Sequence, residues 1–128
     1  MNLKIIKKKI NFNGTSQEKF TAKIERADDV TTDELVQEIK EATSLTNSDI
    51  TAVIIALQEH IQEHVAKGAA VQVGTLGKFV PSIRAKAEAT KDDVSVNSIR
   101  EVKCLFQPTV KFKKRLKDVK FAFKDDEK

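Results

Sequence analysis

The stretch "AVIIAL", Ala52–Leu57, places six apolar residues in unbroken succession within a segment that otherwise reads as a helix. Six consecutive residues touch every face of an α-helix, so this segment has to be buried nearly all round. Thr46-Asn47-Ser48-Asp49 ahead of it has capping-box spacing, and Gly68 behind it suits a helix terminus, so the helix spans about 47–67. A chain of 128 residues makes about one domain with a modest core. One short neighbouring helix and a small sheet cover only part of such a cylinder. The expectation is an obligate homodimer with an intertwined core, in which a second copy covers the rest.

Around that helix the pattern predicts a mixed α+β chain. Residues 3–12 and 20–26 read as strands, with Asn13-Gly14 marking a turn after the first. A shorter helix over about 32–43 opens on Thr31 and Glu34 and spaces Leu35, Ile39 and Ala42 along one face. Strands are expected over 69–73, 78–86 and 98–106. Between the last two, "AEATKDDVSVN" is polar, either the outer part of a hairpin or one helical turn capped by Thr90. A third helix begins near Pro108-Thr109, with Phe112, Leu116 and Val119 as its apolar stripe and proline near its entrance. The tail offers a short Phe121/Phe123 strand and then a frayed, charged end.

Charge is segregated along the chain. Residues 1–30 carry net +3, residues 31–67 net −5 and residues 68–128 net +6. Segregation of this kind suits a polyanionic partner better than the overall +4 does. Between Arg84 and Lys117 the basic residues are Arg84, Lys86, Lys91, Arg100 and Lys103, then Lys111, Lys113, Lys114, Arg115 and Lys117. The run Lys7–Lys9 has two readings, a phosphate contact or a solvated, edge-protecting stretch. A single cysteine, Cys104, rules out an internal disulfide, and its alternating neighbours make it a strand residue. The start has no uninterrupted apolar h-region and the longest apolar run falls far short of a membrane span, so the expected location is cytoplasmic.

Catalytic readings are weak. "HIQEH", His60 to His64, meets the H-x-x-E-H spacing that sets two imidazoles one helical turn apart. Zinc hydrolysis also needs a third ligand and an open cleft, and this helix is required as core, so neither a metal nor a cofactor is expected. "GTLGKF", residues 74–79, lacks the spacing of a nucleotide phosphate loop and lies between two strands, with no helix dipole aimed at it. Its glycines, Gly74 and Gly77, serve a tight strand reversal. No Ser-His-Asp or Cys-His arrangement stands out, and the chain reads as a non-enzyme without a small-molecule substrate.

The order of elements, with "ELVQEIKEATSLTNSDITAVIIALQEHIQEHVAKGAAVQVGTLGKFVPSIRAK" and "FQPTVKFKKRLKDV", resembles the HU and integration host factor family of bacterial histone-like DNA-binding proteins. The first stretch resembles the family's helix pair and "G-x-G-x-F" strand turn. The second resembles its "F-x-P-G/S" signature, with Phe106, Pro108, Phe112 and Lys113 in place and Thr109 where glycine or serine is usual. The resemblance covers residues 31–118, leaving residues 1–30 as an added β extension and residues 119–128 as a C-terminal strand and tail. It implies two N-terminal helices, a three-stranded antiparallel sheet with an extended hairpin arm, and a short C-terminal helix. It further implies a dimer core of Val53, Ile54, Leu57, Ile61, Phe79 and Phe106, with arms that embrace double-stranded DNA in the minor groove.

Carried over residue by residue, Arg84 and Lys86 lie on the outgoing arm strand, and Arg100 and Lys103 on the returning one. Lys91 lies at the tip, and Lys78 beside the Gly74-Thr75 corner. Lys111, Lys113 and Lys114 face the DNA backbone. Two departures stand out. The arm tip has neither the proline wedge nor the arginine of the family and carries Glu88, Asp92 and Asp93, which repel phosphate. Pro81 interrupts a strand expected to be central, which suggests a bulge or an early departure of the arm from the sheet. Two functions remain on this reading: a nucleoid-type DNA-binding dimer with little sequence preference, or an HU-like interaction module that has lost DNA binding.

Overall fold

The computed structural model describes residues 1–124; the charged end expected after the last strand lies outside the described residues. These residues form a mixed α+β fold that divides into two compact units, Met1–Val30 with the residues from Leu116 onward, and Thr31–Arg115. Among the described residues no helix is long and apolar enough to cross a membrane.

In the first unit, strand β1 (Asn2–Phe12) pairs antiparallel with β2 (Thr15–Ile24). The link is two residues, Asn13 and Gly14, both at positive φ, the I′-like geometry whose twist matches that of paired strands. This turn corrects the expected start of the second strand at residue 20. Because Phe12 faces Thr15 directly, pairing begins at once and recruits the polar run "TSQEK", which has no strand pattern of its own. The tail supplies the third strand (β3, Ala122–Phe123), which runs parallel to β1 with Leu3 beside Phe123.

The second unit opens with helices α1 (Thr32–Ala42) and α2 (Asn47–Ala66). Thr31 caps α1 by accepting from the Glu34 amide, and Thr46 with Asp49 completes a capping box on α2. At the far end of α2, Gly68 and Ala69 donate to the carbonyls of Val65 and His64, the paired bonds of a Schellman motif. Ala69 is thereby used by the helix terminus, so the next strand (β4, Val71–Val73) starts two residues later than the apolar pattern suggests. β4, β5 (Gly77–Ala85) and β6 (Ile99–Pro108) form an antiparallel sheet with β5 in the centre. Helix α3 (Val110–Lys117) follows.

The core of a single chain is small. Val36 at 6% exposure and Ile50 at 3% are its buried apolar residues among those described. The expected burial of Leu35 and Ile39 on α1 is not met within one chain: both are exposed, and Val36, one position away from Leu35, takes the inner place. On α2 the "AVIIAL" run leaves Val53 60% exposed, with Ile55 and Leu57 exposed as well. An apolar cleft of about 480 Å³ opens within this unit, lined among others by Ile61, Val65, Phe79, Pro81, Val102 and Cys104.

The glycine corner divides its work between two residues. Gly74 has φ +49 and lets the chain turn, with the Leu76 amide donating to the Val73 carbonyl. Gly77 has no such backbone angle; it is needed for space. A Cβ there would lie 2.5 Å from the Gln107 carbonyl oxygen and 2.6 Å from the Phe106 ring. Phe106 also packs against Phe79 across the ladder, with centroids 5.3 Å apart, and edge-on against Phe112 of α3 at 6.4 Å. Thr109 fastens the helix to the corner: its amide donates to the Leu76 carbonyl and its hydroxyl to the Thr75 carbonyl, while that hydroxyl oxygen accepts from the Phe112 amide.

Two substitutions test this junction. Gly77→Ala has to push the Phe106 ring or separate β5 from β6, and should cost about 1–3 kcal/mol, the usual range for overpacking. Thr109→Val removes the cap and the tie to Thr75 and should cost about 2 kcal/mol, whereas Thr109→Ser should lose much less. Urea midpoints at one fixed protein concentration measure both; a Thr109→Val midpoint equal to that of Thr109→Ser contradicts the role given to the hydroxyl.

Candidate nucleic-acid interface

The β5–β6 ladder sorts the arm residues by face. Lys78, Val80, Ser82 and Arg84 stand opposite Gln107, Leu105, Lys103 and Glu101, and the alternation of strand side chains puts these eight on one side. Gly77, Phe79, Pro81 and Ile83, with Pro108, Phe106, Cys104 and Val102, make up the other, which is the apolar side. Lys78, Arg84 and Lys103 therefore share the polar face. Arg84, however, looks across at Glu101, so the outgoing arm strand is less basic than its sequence suggests.

Of the two outcomes expected at Pro81, the bulge is absent there, while the arm does leave the three-stranded part of the sheet just before it. Pro81 pairs in register with Cys104, and the shift falls between Arg84 and Ala85, where Ala85 pairs with Ile99 and Arg100 is left as the extra residue. Pro81 is tolerated because β4 reaches only as far as the Val71–Phe79 pair, leaving β5 with one neighbour at that point.

Beyond the bulge the tip is ordered by short polar contacts. The Lys86 amide donates to the Ser98 carbonyl at 2.7 Å. Two short 3₁₀ turns follow, Lys91–Asp93 and Val96–Ser98. Thr90 makes no capping bond to the first turn; the capping side chain belongs to Ser95, which accepts from the Asn97 amide. Ser98, 3% exposed, donates its hydroxyl to the Glu88 carboxylate at 3.1 Å and accepts from the Ser95 amide. One of the three acidic tip residues is thus turned inward, while Asp92 and Asp93 remain exposed beside Lys91.

α3 carries Lys111, Lys113, Lys114, Arg115 and Lys117, all exposed, and contains no acidic residue. At 3.6 residues per turn they fan over the faces that Phe112 and Leu116 do not occupy. The Thr109 ties set the start of this helix against the corner that Lys78 adjoins. The expected residues therefore fall into two groups: Lys78 with the start of α3, and Arg84, Lys86, Lys91, Arg100 and Lys103 along the arm. From Gly77 to Ala85 the arm strand extends about 26 Å at roughly 3.3 Å per residue, so the tip and the corner do not form one cluster.

Three contributors escaped the sequence reading: Glu101 opposite Arg84, Ser98 holding Glu88, and the Thr109 hydroxyl. The first depends on the register of the β5–β6 ladder and the second on contacts beyond its bulge, and no spacing rule locates either. The third was visible only as a residue type in the place of glycine or serine. His60 and His64 are exposed on α2, and among the described residues no group of three His, Cys, Asp or Glu side chains gathers to hold a metal ion.

Known proteins bear on this arrangement in three ways. No curated protein matches the sequence. A solved structure from Bacteroides vulgatus, provisionally described as a bacterial DNA-binding protein, is similar in fold, with a TM-score of 0.64 and 11% identity over 95% of this chain. The match takes in 47% of that neighbour, so this chain spans about half its length. The HU-HIG family, described as an HU domain fused to a wHTH, Ig or glycine-rich motif, matches over residues 1–122, and the chain belongs to it.

Proposed function

We propose that the protein is a DNA-binding, histone-like protein of the nucleoid, and so cytoplasmic, that engages duplex DNA as a homodimer with little sequence preference. The observation that carries this reading is α3, five exposed cations and no carboxylate, fixed by Thr109 to the corner beside Lys78. Compact cationic surfaces of this kind neutralise backbone phosphates and carry no base code. The dimer is supported by what one chain leaves open: Val53 and Leu57 on α2, Phe106 in the sheet, and the cleft reached by Ile61 and Phe79. The role is one of binding, not of catalysis. The arm tip presents no proline and ends in Asp92 and Asp93, so kinking by a proline wedge is not part of the function.

Exposed Asp92 and Asp93 favour a second reading, an HU-like interaction module without DNA affinity, and the same titrations separate the two. If six phosphates are neutralised, log affinity for generic duplex should fall with log salt at a slope of about −5. Absent or salt-independent binding refutes the DNA reading and leaves the interaction module. Arg84→Ala with Lys86→Ala should weaken binding equally on unrelated sequences and flatten the slope by about 2. A loss confined to one sequence would instead mean base readout.

A further inference from the structure

The lysines of the N-terminal sheet are sorted by register in a way the run "KIIKKKI" conceals. Lys4 stands opposite Lys23, and Lys8 opposite Lys19. Alternation along a strand puts all four on one face. Lys7 and Lys9 project from the other face, where Lys7 lies 6.0 Å from the centroid of the Phe20 ring and Lys9 stands opposite Glu18. The middle of the lysine run is thus separated from its two neighbours: Lys7 stands opposite Phe20 and Lys9 opposite Glu18, whereas Lys8 stands opposite another lysine.

Like charges directly opposite each other destabilise a sheet. Here two such pairs recur on one face, about 13 Å apart at four residues of roughly 3.3 Å each. All four lysines are exposed. The carboxylate that meets them is Glu25 at one end, 3.6 Å from Lys4 and 4.0 Å from Lys124. Lys8, Lys19 and Lys23 have no ion-pair partner among the described residues. Edge protection calls for lysines on β2 but not for lysines set opposite one another on two strands, whereas a row of phosphates laid along the strand direction would turn each repulsive pair into a bridged one.

We propose that this face is a separate DNA-binding surface, on which Lys8, Lys19 and Lys23 contact backbone phosphates of duplex DNA. The inference rests on the DNA-binding reading above and adds a site outside the arm and third helix. The contacts are non-specific, since ammonium groups on a sheet face meet phosphate as point charges.

The test uses the full chain and generic duplex. Lys8→Gln/Lys19→Gln/Lys23→Gln should flatten the salt slope by about 2.7, at about 0.9 for each phosphate contact removed. Lys7→Gln/Lys9→Gln, on the opposite face, should leave it unchanged. Acetylation of the unaltered protein with and without duplex gives a second readout that does not depend on a variant folding: Lys8, Lys19 and Lys23 should be protected, and Lys7 and Lys9 should not. If the native chain binds duplex with an unchanged slope in the triple variant, or with Lys8, Lys19 and Lys23 as reactive as Lys7 and Lys9, the sheet surface is wrong and the DNA reading stands. If the native chain does not bind duplex at all, both fall.

Discussion

The close approach of Gly77 to Phe106 is the constraint on which the basic surface of the second unit depends. With no side chain at Gly77, the Phe106 ring packs close against the strand and is in contact with both Phe79 and Phe112. That contact brings the start of α3 to the turn, where the Thr109 amide bonds the Leu76 carbonyl and its hydroxyl both bonds the Thr75 carbonyl and caps the helix. Eight residues of a lysine-rich helix have little intrinsic reason to be helical, because a helix this short is marginal in water and its cations repel one another. Packing by Phe112 and the cap by Thr109 hold the cations in place. Threonine can tie the turn and cap the helix at once because its hydroxyl accepts from an amide and donates to a carbonyl.

Charge in this chain is governed by pairing more than by count. Arg84 stands opposite Glu101 in the ladder, Glu88 is drawn inward by Ser98, and Lys9 stands opposite Glu18. The helix α3, with five exposed cations and no carboxylate, is the element where positive charge is least diluted. A surface assembled in this way attracts a polyanion through a few well-placed groups, which is compatible with a modest net charge of +4.

Much of the architecture was legible from local chemistry. The caps at Thr31 and Thr46, the stop at Gly68, the Asn13-Gly14 turn and the third helix after Pro108 are each set by residues within a few positions of the element they bound. Where the reading slipped, a partner distant in sequence decided. β2 begins at Thr15 because the turn imposes pairing, and the bulge falls at Arg100 although Pro81 is the residue that advertises an irregularity. Val36 is buried where Leu35 and Ile39 fitted the helical stripe better, since the stripe marks what some neighbour must cover and not which neighbour comes from the same chain.

The sequence by itself determined the elements, the need of "AVIIAL" for more cover than one chain supplies, and the concentration of cations in the last helix. Periodicity, capping and charge runs are short-range properties, and they are written residue by residue. Tertiary structure alone decided which cations stand together and which stand opposite a carboxylate. Register fixes that outcome: a shift of one residue moves every side chain to the opposite face. Lys8 thus joins Lys4, Lys19 and Lys23 while Lys7 and Lys9 do not, although the sequence presents all three as a single run.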